Sequence, residues 1–150
     1  MIFQGGILNP EDYKLGVQDP DFKRMYKRMQ GNPLPFRIKN ISWWERELPN
    51  KSEMQEGLEN LKKYNNKVDF IITHSPCTSD LFLLGGAVFY DTDILTNYLE
   101  EVRTIVDYQK WYFGHMHINK QPNLQDLCLY EQILMAPDKN YVYQFPEEER

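Results

Sequence analysis

The sequence is short of what would tie it to a membrane, a nucleic acid or an oxidising compartment. No apolar stretch approaches the roughly 18 residues of a membrane span. The longest, Leu81 to Tyr90, is broken by Gly85-Gly86. The first residues, Met1-Ile2-Phe3-Gln4-Gly5-Gly6, lack the charged start and apolar core of a secretory signal. Cationic residues number 17 against 22 acidic ones, for a net charge of -5, and no basic run offsets that balance. Binding through nucleic-acid phosphates needs a basic face, so the composition argues against such a partner. There are two cysteines, Cys77 and Cys128, far apart in the chain. Without an export signal they read as free thiols in a reducing, cytoplasmic setting.

What is present fits one compact domain spanning residues 1–150, long enough to bury a core. Asp19-Pro20-Asp21 starts a helix that runs through Gln30, with Phe22, Met25, Tyr26 and Met29 at helical spacing. Phe36 to Ile41 alternates as a half-buried strand does. A second helix follows Pro49-Asn50-Lys51, with Ser52 as N-cap, Gln55 as its capping-box partner and Met54, Leu58, Leu61 and Tyr64 on one face. Val68 to Thr73 reads as a continuous apolar strand buried on both sides of a parallel sheet.

Residues 75–92 form a long connection. Asp93 then caps a helix whose apolar side is Ile94, Leu95, Tyr98, Leu99, Val102, Ile105 and Val106. Lys110 to Phe113, Leu127 to Met135 and Tyr141 to Phe145 are further strands. Helices alternating with strands indicate an α/β fold.

Histidine is scarce, three in the whole chain, yet all three stand at strand ends. His74 closes the strand that begins at Val68, and His115 and His117 follow the strand ending at Phe113. Ligands of α/β sheets collect at the carboxyl ends of strands, and residues i and i+2 share a side when the backbone is extended. The three imidazoles are therefore candidate ligands of one metal site, with the metal left open.

Ile71-Ile72-Thr73-His74-Ser75-Pro76 and Trp111-Tyr112-Phe113-Gly114-His115-Met116-His117 resemble the last two motifs of the calcineurin-like metallophosphoesterases. The second is the family's Gly-His-x-His signature. Ser42-Trp43-Trp44-Glu45 through Leu48-Pro49, Asp93 to Glu101 and Leu129-Tyr130-Glu131-Gln132 resemble bacterial members too. The resemblance covers nearly all of this chain but only the C-terminal half of the family's catalytic domain. It implies part of an αββα sandwich with mixed sheets. It also implies that His74 and His115 ligate a second metal while His117 completes the shell of the first. In the family, two ions (manganese, iron or zinc) share a hydroxide that attacks the phosphorus of a phosphate ester. The family takes phosphomonoesters, phosphodiesters and phosphoproteins, and these residues do not separate them.

The family's earlier motifs, Asp-x-His, Gly-Asp and Gly-Asn-His, do not occur; Gly31-Asn32 is followed by Pro33. Three neutral imidazoles bring no charge to offset two divalent ions some 3.5–4 Å apart. At most one ion is expected, held weakly, and no hydrolysis by this chain alone. The alternatives are a mononuclear three-histidine site, or a non-enzymatic half-domain that binds a partner, such as an N-terminal half made separately. An incomplete domain would also expose strand edges and an apolar face, which favours self-association. Among minor features, Trp43-Trp44 fits packing better than a substrate wall. Asp91 and Asp93 read as a turn acid and a helix cap, and Cys77 as a bystander. The Ser75-to-Thr92 loop is best placed to shape substrate access.

Overall fold

A computed structural model describes residues 7–32, 36–85 and 92–134. Its architecture is α/β, with two small sheets in which every strand pair is parallel. Strand β1 (Ile7–Leu8) pairs with β2 (Arg37–Ile38), and helix α1 (Pro20–Gln30) lies between them in the chain. Helix α2 (Lys51–Lys63) leads into β3 (Lys67–Thr73). A short helix α3 (Thr78–Leu83) and helix α4 (Ile94–Ile105) precede β4 (Asp107–Phe113), and β5 (Asp126–Cys128) follows. The second sheet has the order β3-β4-β5. No helix among the described residues is long and apolar enough to cross a membrane.

The caps explain where the helices begin. Asp19 accepts the amide of Asp21 at 2.8 Å and Pro20 opens α1, as read from the sequence. Asp93 caps α4 by accepting the amide of Thr96, whose hydroxyl accepts the amide of Asp93 in return. The α2 cap is not Ser52. Asn50 holds the amides of Ser52 and Glu53, and Glu53 returns the bond to the amide of Asn50. A carboxylate outcompetes Gln55 as the reciprocal partner because a charge-assisted bond is stronger, so the helix starts two residues earlier.

Other expectations shift as well. Phe36 to Ile41 gives a strand of only two residues, because Asn40 takes a left-handed backbone (φ 60°) and the chain turns. Leu127 to Met135 shortens to Asp126–Cys128, while β4 begins earlier, at Asp107. Tyr141 to Phe145 lies outside the described residues. The connection after His74 is not all loop, because it contains α3. Tyr64, assigned to the apolar face of α2, is exposed.

The core joins Leu99 and Val102 of α4 and Val106 just after it to Tyr108, Trp111 and Phe113 of β4, with Cys77 and Cys128. Leu58 and Leu61 of α2 and Val68 and Ile71 of β3 pack against it. Strand β3 is not buried on both faces: Phe70 is 40% exposed and Ile72 79%.

A polar brace centres on two fully buried carboxylates, Asp80 and Asp126. Arg103 bridges Asp80 at 3.0 Å and Asp126 at 3.1 Å. Tyr108 donates to Asp126, and Asn123 donates to both carboxylates. Buried charges of this kind must be paired and hydrogen-bonded, and the brace ties α3, α4, β4 and β5 into one unit. Burial, then the charge of Asp126, push the Asp80 carboxyl up to about 6 despite the opposing Arg103.

Candidate functional site

His74 and His115 meet at the carboxyl ends of neighbouring strands β3 and β4. Nδ1 of His115 is 2.8 Å from Nε2 of His74, and the two rings stand edge to face with centroids 4.8 Å apart. The local backbone explains the meeting. The Gly114 amide donates to the His74 carbonyl at 3.0 Å, locking the two strand ends together. On the β3 side, Thr73 accepts the indole N–H of Trp111 and donates to the carbonyl of Ser75, so both flanks of His74 are held.

His115 and His117 both adopt left-handed backbone, at φ 66° and 54°. This corrects the extended geometry assumed for the His-x-His pair. Gly114, which precedes them, does not carry a positive φ. Histidine enters this region more readily than most residues, and backbone of this kind clusters at functional sites. Turning through two such residues sends His117 elsewhere. Its ring stacks on Tyr130 at 4.8 Å between centroids. The structure thus joins two of the three predicted ligands and leaves the third on the adjoining loop.

His115 is partly buried, and that burial, followed by the nearby charge of His74, pushes its imidazole down to about 4. It is therefore neutral at pH 7, the form that ligates metal. Two imidazole nitrogens this close suit a shared cation: with Zn–N bonds of about 2.05 Å, a tetrahedral ligand edge is about 3.3 Å. Opening the pair by about half an ångström accommodates that edge. Beyond the pair the fit ends. Among the described residues no three His, Cys, Asp or Glu side chains gather closely enough to hold an ion. A two-metal centre does not fit the described donors.

The pair opens into a cavity of about 510 Å³ whose other walls include Arg37, Trp43, Trp44 and Glu47. Trp43 and Trp44 are thus pocket-lining, contrary to the packing role expected of them. Arg37 was missed, since one exposed arginine on a short strand carries no signal until the turn after it is known. Asp93 is the expected cap. Asp91 and part of the Ser75-to-Thr92 loop lie outside the described residues. Cys77 is fully buried and its thiol is pushed up to about 12 by burial, which suits an inert core residue. Neither cysteine forms a disulfide.

Comparison with protein-family models, curated proteins and solved structures returns no match for this chain.

Proposed function

We propose that this chain supplies the imidazole side of a phosphoesterase metal centre, as its sequence resemblance implies, and that further chain completes the αββα sandwich and the carboxylate ligands. The observation that supports this most directly is the 2.8 Å His74–His115 contact at the ends of two parallel strands, where ligands of such sheets collect. His74 and His115 hold the ion through ring nitrogens, and the locked Thr73, Ser75 and Gly114 backbone keeps the pair in place. A bound divalent ion would contribute Lewis acidity toward a phosphoryl oxygen. Without the family's carboxylate ligands to balance charge, the chain alone holds at most one ion, weakly, and does not turn over phosphate esters.

Titration calorimetry with Mn²⁺ and with Zn²⁺ tests this. The expected result is one weak site per chain, lost in His74→Ala and in His115→Ala. Binding that ignores both substitutions would overturn the site. Turnover of p-nitrophenyl phosphate with Mn²⁺, abolished by His115→Ala, would overturn the predicted inactivity.

A further inference from the structure

We infer that the cavity beside the histidine pair recognises a planar π ring attached to a phosphate, as in a nucleoside monophosphate or an aryl phosphate. The inference rests on the phosphoesterase reading for its phosphate and adds the nature of the group the phosphate is attached to. Three observations converge on it. Trp44 is 46% exposed, which leaves part of its indole open to stack on a ligand. It and Trp43 line the same cavity as His74 and His115, and neither indole stacks on another described ring. Arg37, on the same cavity wall, donates through one guanidinium nitrogen to the Ser42 carbonyl at 3.4 Å, and its planar group of five N–H donors has the geometry that suits phosphate oxygens.

The wall is built to hold these groups still. The Ile38 carbonyl accepts three amides, from Ile41, Ser42 and Trp43, and the Ser42 hydroxyl accepts the Ile38 amide at 2.9 Å. Asn40, in left-handed backbone, closes the same turn by donating its amide to the Trp43 carbonyl at 2.7 Å. The Glu47 carboxylate accepts the amide of Trp44 at 3.1 Å, and the Glu47 amide donates back to the Trp44 carbonyl. Arg37 and the two indoles thus leave opposite ends of one pinned turn. Prior fixing of this kind lowers the ordering cost of binding. A cavity of about 510 Å³ is in the range that takes a small organic ligand, and is larger than a lone phosphate needs.

The test is binding to metal-free protein in EDTA, measured by calorimetry with AMP, phenyl phosphate, ribose 5-phosphate and inorganic phosphate. Ring stacking on an aromatic side chain predicts that AMP binds on the order of tenfold tighter than ribose 5-phosphate. Phenyl phosphate should exceed inorganic phosphate in the same sense. Whichever of the two is tighter separates a nucleotide from an aryl ester. AMP should also quench tryptophan emission, a signal from Trp43 and Trp44 because Trp111 is wholly buried. Trp44→Leu should erase the AMP advantage while leaving ribose 5-phosphate unchanged, and Arg37→Met should weaken AMP and ribose 5-phosphate alike. Equal affinity for AMP and ribose 5-phosphate in the unaltered chain would overturn the proposal, whatever the variants do. Because no metal is present, that failure is separable from a failure of His74 and His115 to bind Mn²⁺.

Discussion

Asp80 shows how a single residue sets a pH response that its sequence position does not announce. An aspartate in an unfolded chain titrates near about 3.9, whereas burial and Asp126 lift Asp80 to about 6 in the folded protein. The folded state therefore holds this proton more tightly. Its favour to folding is fully present below the unfolded value and is lost as pH rises through about 6. Asp80→Asn keeps an acceptor for Arg103 and removes the titration. Urea midpoints for both proteins from pH 4 to 8 should show the unaltered chain losing stability relative to the variant from pH 4 to about 7, with no further change above. A constant difference across that range would mean that Asp80 ionises normally. Nothing in Thr78-Ser79-Asp80-Leu81 marks the aspartate as buried; its partners Arg103, Asn123 and Asp126 arrive from other elements. The histidines were legible because strand ends are predictable, but their pairing without His117 was not, since it turns on two left-handed residues.

At the scale of elements, caps and periodicity carried the sequence reading, and tertiary contact decided the remainder. Helices α1 and α4 begin where Asp19 and Asp93 place them. Helix α3, six residues long, is too short to show a repeating apolar face. The exposed side of β3 was hidden because Val68 to Thr73 has the composition of a fully buried strand. Helix α2 touches α4 at a point that periodicity also missed. A Cβ on Gly57 would overlap the Tyr98 hydroxyl, while the ring carbon Cζ is 3.5 Å away. Gly57→Ala should gain about 1 kcal/mol of helix propensity but lose about 1–3 kcal/mol to overpacking, a net destabilisation. In a Tyr98→Phe background the overlap is gone and the same alanine should stabilise. Thermal unfolding of the four proteins in this cycle would reveal the change of sign; a destabilising alanine in both backgrounds would refute it.

For the whole molecule, the decisive feature among the described residues is a sheet that ends at β3 with apolar side chains exposed on one face. Strand β3 ends the described sheet, and Phe70 and Ile72, two residues apart, share one face of that strand and are exposed there. Strand edges recruit further strands and exposed apolar faces favour association. Sedimentation velocity should show the average mass of the unaltered chain rising with concentration, and Ile72→Lys should suppress that rise without altering far-UV circular dichroism. A monomer across the whole concentration range would argue that this surface tolerates water.

The all-parallel pairing also bears on how the molecule assembles in time. Parallel neighbours cannot be joined by a tight hairpin, so no described strand pair can form as a local event. Gln109 and Asp69, which touch across the β3–β4 ladder, are 40 residues apart in the chain. Loop closure over such a span is entropically unfavourable before any contact rewards it, which slows folding relative to local topologies. Helices α2 and α4, with strong caps of their own, are then the elements able to form first. The His74–His115 pair must appear late, because it exists only once the β3–β4 ladder has closed.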